Sequence, residues 1–142
     1  MKYTRAVFWL KLSFLVGMVT DALALIPMLF PPMARLFWGF DNFTGIYYFA
    51  MGYGASLMLA WTILLYWAFR KPLERRYIAL FTILILLCFV VTEIVSINLG
   101  YIQLSKVVPS LVLQVILLTV FSYSFLISTN RNVMADKPEI RR

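Results

Sequence analysis

Two acidic residues stand inside long apolar stretches of this chain, where a charge would be costly if lipid surrounds them. Asp21 lies near the end of the first stretch and Glu93 lies in the third. Carboxyl groups at such positions usually face the interior of a helix bundle and indicate a functional site. No Lys or Arg lies at the same depth. We therefore expect at least one of the two to be protonated if they are close together, or both to bind a cation or amine.

Other polar residues fall at the same depth. With a rise of about 1.5 Å per residue, Asp21 and Glu93 lie roughly 20 and 22 Å from the start of their segments. Tyr53 and Gln114 reach this level from the other direction, because their segments run the opposite way. The candidate ligand-binding residues are therefore Asp21, Tyr53, Glu93, Gln114, Ser56, Thr20 and Thr92.

Several kinds of chemistry are excluded by residue type. The chain has no His and a single Cys, Cys88, which excludes an internal disulfide, haem ligation by His and a Cys/His zinc site. No nucleophile–base pair is visible, so we predict no catalytic residues, no metal and no cofactor. The 13 Lys and Arg residues outnumber the 6 acidic ones, yet they flank apolar segments, which argues against a nucleic-acid partner.

Composition places the chain in a membrane. Of its 142 residues 63% are hydrophobic and only 13% are charged, and the mean hydropathy is +0.87. A soluble domain of this length could not bury so much apolar surface. The apolar segments predict an all-α, polytopic membrane protein that forms an antiparallel four-helix bundle.

The predicted transmembrane domain covers residues 1–128, with helices at about 7–30, 45–69, 77–99 and 109–128. Pro31 and Pro32 should end the first helix, and an aromatic connector follows at the membrane interface. Pro109 and Ser110 are interpreted as the first-turn proline and cap of the fourth helix. Residues 129–142 are predicted to form a polar cytoplasmic tail.

Basic residues predict the orientation. Eleven Lys and Arg residues fall on one side of the predicted bundle, and only Arg35 and Lys106 fall on the other. Such a bias usually marks the cytoplasmic side. We therefore expect both termini inside, in a bacterial or archaeal plasma (inner) membrane. The residues that determine this topology most directly are Arg70, Lys71, Arg75 and Arg76.

Small residues indicate where helices could pack. Gly17 lies one turn before Asp21, and Gly52, Ser56 and Ala60 form a small-residue stripe at four-residue spacing. We assign Gly17, Gly52 and Ala60 to helix packing.

Alternatives remain for the polar residues. The Ser, Thr and Gln side chains could be ordinary interhelical hydrogen-bonding groups, and Tyr53 could be an interfacial aromatic residue. Both carboxyls could be neutral hydrogen-bonding partners.

Two stretches carry a resemblance to a known group. The sequences Pro27-Met28-Leu29-Phe30 and Arg35-Leu36-Phe37-Trp38-Gly39, with the Gly-rich opening from Gly45 to Gly54, resemble those of the DoxX-like small four-helix bacterial membrane proteins. Some members of that group are linked to quinol oxidation. The architecture is also similar to that of the EXPERA group, whose acidic residues line a membrane cavity for sterols or amines.

Three functional hypotheses follow. The first is a membrane binding module whose polar cavity takes an amphiphilic lipid, quinone or amine. The second is an accessory or structural subunit of a larger membrane complex with no ligand of its own. The third is a membrane enzyme that uses Asp21 and Glu93 as acid and base. Membrane lipids are expected partners in every case, and a homo-oligomer or larger complex is compatible with the first two.

Overall fold

Four helices of the protein are long and apolar enough to cross a membrane. The structure is a computed structural model and describes residues 2–130. Five helices form this part of the chain: α1 Lys2–Leu29, α2 Pro31–Trp38, α3 Gly45–Arg70, α4 Tyr77–Asn98 and α5 Leu104–Thr129. The all-α fold with four membrane-spanning helices is confirmed. Most of the predicted tail, including Arg131, Lys137, Arg141 and Arg142, lies outside the described residues.

Prolines set the boundary between α1 and α2. Phe30 is extended, with φ −115° and ψ 102°, because a residue that precedes proline disfavours the helical region. Pro31 and Pro32 then occupy the first positions of α2, where a missing N–H removes no helical hydrogen bond. The connector predicted at the interface therefore contains a short helix, which ends where Gly39 adopts a left-handed φ of 72°.

The fourth spanning helix, α5, begins earlier than the sequence suggested. It begins at Leu104 rather than at about 109, and Pro109 lies inside it. Pro109 is the sixth residue of α5, so it lacks the N–H that would bond the carbonyl of Ser105, and the helix continues through it. As a result Ser110 is not at a helix terminus, and its hydroxyl bonds Val107 O of its own helix while it also reaches a partner on another helix.

The spanning helices pack in the order α3, α1, α5, α4. α1 is central, with α3 on one side and α5 on the other, and α4 packs mainly on α5. The α1–α5 contact is antiparallel: Ser124 Oγ donates to the carbonyl oxygen of Trp9 at 3.0 Å, and the rings of Phe14 and Phe121 are 6.2 Å apart. α3 and α4 therefore stand at opposite ends of the row.

Close packing is concentrated in one half of the bundle. The half that ends at the Arg70–Arg76 turn is called the basic half, and the other is called the open half. At Gly17 an added Cβ would lie 2.8 Å from Phe121 Cζ and 3.2 Å from Leu65 Cδ1, so glycine allows three helices to meet there. The buried core of the basic half comprises Leu10, Phe14, Leu65, Ala68, Ile78, Ala79, Leu86, Leu117 and Phe121.

The open half has few buried side chains. On α3 the residues Ile46 and Phe49 are 82% and 77% exposed, and on α4 Val91 is 60% exposed. In a membrane these faces contact lipid. Lipid can therefore approach the helices closely at the level where the polar residues lie.

Candidate functional site

Glu93, Ser110 and Gln114 form a polar cluster between α4 and α5, here called the Glu93 cluster. Ser110 Oγ lies 2.5 Å from Glu93 Oε1 and 3.1 Å from Val107 O, so its single hydrogen serves two acceptors, of which Glu93 is the nearer. Gln114 Nε2 donates to the same oxygen at 2.9 Å. Gln114 is buried, with 8% of its surface exposed, whereas Glu93 and Ser110 are half-buried. The cluster lies in the open half of the bundle.

A tight turn brings the two helices of the cluster together. Gly100 has a left-handed φ of 73°, and its N–H donates to Ile97 O at 3.0 Å. The N–H of Tyr101 donates to Ser96 O at 2.9 Å. This pair of bonds is the Schellman arrangement that ends a helix at a glycine. It turns α5 back along α4, and the four-residue spacing of Ser110 and Gln114 places both on the face toward Glu93.

The hydrogen bonds of the cluster are unevenly distributed. Glu93 Oε1 accepts two of them, while Glu93 Oε2 and Gln114 Oε1 are buried with no partner in the part of the chain that the structure describes. Leaving a buried polar group without a partner costs about 1–3 kcal/mol. Both orphaned atoms are acceptors when the carboxyl is ionised. The cluster therefore lacks a donor, which either a proton on Glu93 or an N–H or O–H of a ligand would supply.

Other unpartnered polar atoms do not form such a pair. Tyr47 OH and Trp61 Nε1 on α3 are also buried without a partner among the described residues. Each is a single group on its own side chain. Glu93 Oε2 and Gln114 Oε1, by contrast, belong to two side chains that already bond to each other. The two unmet acceptors therefore belong to one hydrogen-bonded pair of side chains.

Asp21 does not join the cluster. It is half-buried in the open half, on the turn of α1 that follows Gly17. Within residues 2–130 it makes no hydrogen bond or ion pair, and none links it to Glu93. The structure thus records no direct bond between the two carboxyls that depth placed in one layer, and their shared site stays a prediction.

The remaining ligand-binding candidates lie outside the cluster. Tyr53 is 66% exposed, and its ring stacks on Phe49 with centroids 6.5 Å apart. The three hydroxyl candidates each donate to their own helix: Thr20 to Val16 O and Gly17 O, Ser56 to Gly52 O, and Thr92 to Cys88 O. Such back-bonding satisfies a hydroxyl in lipid without a second helix.

The residues assigned to packing and topology are placed as follows. Gly17 is buried at the junction of α1, α3 and α5, whereas a Cβ at Gly52 would meet no atom within 4 Å and Ala60 is exposed. In the α3–α4 turn the basic side chains contact nearby groups. Arg70 donates to Tyr66 OH at 3.4 Å, and Lys71 pairs with Glu74 at 3.4 Å. Arg75 donates to Trp67 O, and its guanidinium lies over the Trp67 ring. The guanidinium of Arg76 lies over the ring of Tyr77.

Ser110 is the cluster residue that sequence reasoning missed. Its position after Pro109 suggested a cap at the start of the helix, and a cap residue is not expected to bond a side chain of another helix. Lys106, Ser110 and Gln114 are spaced by four residues and so lie along one face of α5. This spacing was the signal that could have paired Ser110 with Gln114.

No family model, curated protein or solved structure matches the chain. The comparisons therefore add no ligand, partner or activity to what the residues show. The similarity of Pro27–Gly39 to DoxX-like proteins stays a prediction. Any functional conclusion rests on the Glu93 cluster and its surroundings.

Coupling between Glu93 and Gln114 can be measured directly. Replacing Gln114→Leu removes a donor to Glu93 and should lower the free energy of unfolding by about 1–2 kcal/mol. In a Glu93→Leu background the same change should cost much less, because its partner is gone. Thermal melting in a mild detergent gives both values. Thr92→Val is the matched control and should stay within about 0.5 kcal/mol of the parent. An equal cost of Gln114→Leu in both backgrounds would show that the bond contributes nothing.

Proposed function

We propose that the protein is a membrane-embedded binding module for an amphiphile that carries a hydrogen-bond donor. The donor group, an amine or a hydroxyl, binds between Glu93 and Gln114. One observation supports this above all: two buried acceptors on side chains that bond each other, Glu93 Oε2 and Gln114 Oε1, have no donor among the described residues. Buried polar atoms in proteins are nearly always satisfied, so a pair without a donor favours a ligand.

The chemistry of the cluster ranks the ligand classes. A protonated amine offers up to three donors and a positive charge, so it complements an ionised Glu93 best. A quinol or a lipid hydroxyl offers one or two O–H donors and also fits. A quinone has only acceptors and would place a third acceptor beside the first two. A quinol ligand would agree with the proposed DoxX-like resemblance.

The surroundings of the cluster suit a ligand that arrives from lipid. Gln114 is buried behind Glu93, while neighbouring α4 residues such as Val91 and Ile94 are 60% and 48% exposed. An amphiphile could thus hold its polar group at Glu93 and lay its tail along the exposed face of α4. Asp21 in the same half offers a further acceptor to a ligand with a second donor. The acid–base enzyme hypothesis for Asp21 and Glu93 stays a prediction.

Matched donor and acceptor probes test this proposal. We expect hexadecylamine or decylubiquinol to raise the melting temperature of the purified protein, and decylubiquinone to leave it unchanged. A probe at about 100 times its Kd should stabilise the folded protein by about 2.7 kcal/mol. Glu93→Gln should abolish the response, because its own amide N–H can donate to Gln114 and fill the missing bond.

The control is Thr92→Val, one residue from Glu93 and bonded only to its own helix. It should respond to every probe as the parent does. The proposal is wrong if decylubiquinone stabilises the protein as much as the donors do. It is equally wrong if Glu93→Gln retains the full response.

A second candidate function is supported by a different surface. Gly52, Ser56 and Ala60 form a small-residue stripe that the other described helices leave uncovered. Small residues let another helix approach closely, which suits an accessory subunit or a homo-oligomer. Co-purification of a stoichiometric partner that Gly52→Leu removes, with no response to any donor probe, would favour this candidate over the first.

We also propose that the basic half faces the cytoplasm of a bacterial or archaeal cell, with both termini inside. Arg5, Lys11 and the Arg70–Arg76 turn lie at that end, whereas Arg35 and Lys106 lie at the other. A short-loop bias of this kind supports the orientation.

Cysteine labelling tests the orientation. The single native Cys88 is first replaced by Ala, and one cysteine is then introduced at Asp41 or at Lys71. A membrane-impermeant maleimide should label Asp41→Cys in intact cells, and should label Lys71→Cys only after permeabilisation. Labelling of Lys71→Cys from outside would reverse the proposed orientation.

A further inference from the structure

A cavity of about 420 Å³ lies at the end of the open half, outside the Glu93 cluster. Its walls are α2 with the residues that follow it, the α4–α5 connector and the first turn of α5. The lining side chains that carry charge or an aromatic ring are Arg35, Trp38, Asp41, Tyr101 and Lys106. The cavity thus combines two cations, one carboxylate and two aromatic rings. Neither the proposed ligand site at Glu93 nor the small-residue stripe of α3 includes it.

Lys106 is held in position by backbone contacts. Its aliphatic stem crosses Gly39, where Lys106 Cγ and Cε would lie 3.5 Å from an added Cβ. Its ammonium donates to Leu36 O at 3.4 Å, near the C-terminal end of α2. A lysine has three donors, so this long bond leaves others for a ligand.

Arg35 and Asp41 provide opposite charges at the other wall. Arg35 Nε is 3.2 Å from Asp41 Oδ1, and their side chains are 62% and 79% exposed. An ion pair this exposed contributes little stability and can exchange partners readily. Arg35 also lies over the ring of Phe43, at 5.6 Å from its centroid, which restrains the guanidinium. Its remaining N–H groups match the geometry of a phosphate.

We propose that this cavity binds the headgroup of a zwitterionic phospholipid, one that carries a phosphate and an ammonium. Arg35 and Lys106 hold the phosphate through charge-assisted hydrogen bonds. Asp41 pairs with the ammonium, and the faces of Trp38 and Tyr101 attract the same positive charge. This inference goes beyond the proposed ligand of the Glu93 cluster and does not depend on it.

The depth of the cavity matches a headgroup. α2 ends at Trp38 and α4 ends at Asn98, and the cavity lies just beyond these ends. The polar headgroup layer lies immediately outside the hydrocarbon and is about 5–8 Å thick on each side. Trp and Tyr are the side chains that concentrate at this level. A lipid bound here keeps its acyl chains in the bilayer beside the exposed helices.

Asp41 makes the site selective. A cavity for a purely anionic headgroup would gain nothing from a carboxylate, which repels a phosphate that has no attached cation. With an ethanolamine headgroup the same carboxylate gains a partner. The site should therefore prefer phosphatidylethanolamine to phosphatidylglycerol, although both carry one phosphate.

The two sites are close but share no residue. Lys106 lies one turn of α5 from Ser110, a rise of about 6 Å. None of the three residues of the Glu93 cluster lines the cavity. Substitutions can therefore separate the headgroup site from the proposed ligand site.

Native mass spectrometry of the full chain tests the proposal. The delipidated protein is incubated with equal amounts of phosphatidylethanolamine and phosphatidylglycerol that have the same acyl chains. We expect about tenfold more retained phosphatidylethanolamine, which corresponds to about 1.4 kcal/mol. Arg35→Gln and Lys106→Gln should each reduce retention of both lipids. Asp41→Asn should keep phospholipid binding but remove the preference.

Three controls distinguish headgroup binding in this cavity from a general charge effect, from binding at the Glu93 cluster and from misfolding. Lys71→Gln removes an exposed cation at the opposite end of the bundle and should change nothing. Glu93→Gln should keep the preference for phosphatidylethanolamine, whatever it does to the amine and quinol probes, because Glu93 does not line the cavity. Melting curves of Arg35→Gln and Asp41→Asn, both at exposed side chains, should match the parent and exclude misfolding.

Several outcomes would overturn the assignment. If the parent protein retains the two lipids equally, Asp41 does not select for the ammonium of the headgroup. If Arg35→Gln and Lys106→Gln retain as much phospholipid as Lys71→Gln does, these two residues do not bind the phosphate. Binding of soluble glycerophosphoethanolamine without retention of the lipid would show that the site takes a soluble phosphate compound instead.

Discussion

The bilayer interior offers no hydrogen bonds, so each polar atom within the spanning helices needs a partner from the protein or from a bound molecule. Most side chains of this protein meet the constraint locally. The hydroxyls of Thr20, Ser56 and Thr92 bond carbonyls of their own helices. The Glu93 cluster meets it only in part, since two acceptors stay unpaired among the described residues. The proposed function follows from that incomplete set of bonds.

Packing explains why the incomplete bonds lie where they do. Gly17 lets Phe121 and Leu65 approach α1 closely, and the core of the basic half is built around this contact. α3 and α4 stand at opposite ends of the helix row, so the open half lacks an equivalent core. A rigid half thus supports a half that lipid can reach. This division suits the proposed binding of small amphiphiles in the open half.

Residue type and segment length were enough to predict the helices, whereas the direction of each side chain around its helix could not be read from the sequence. Apolar length alone predicted the four spanning helices, and the Pro31–Pro32 pair predicted the break after α1. Depth placed Asp21, Tyr53 and Glu93 in one layer, but depth says nothing about the direction in which a side chain points. In the structure Tyr53 is exposed, and no hydrogen bond among the described residues joins Asp21 to Glu93. Ser110 was missed because the sequence does not distinguish a proline inside a helix from a proline in its first turn, and Pro109 was interpreted as the latter.

An experimental structure of the protein in a native lipid bilayer tests the central claim most directly. The map must be sharp enough to place individual polar atoms around Glu93 and Gln114. We predict a donor atom of a bound amphiphile at about 3 Å from both Glu93 Oε2 and Gln114 Oε1. The contradicting result is a closed pair, with the two oxygens about 2.7 Å apart, a proton shared between them and no third group in contact.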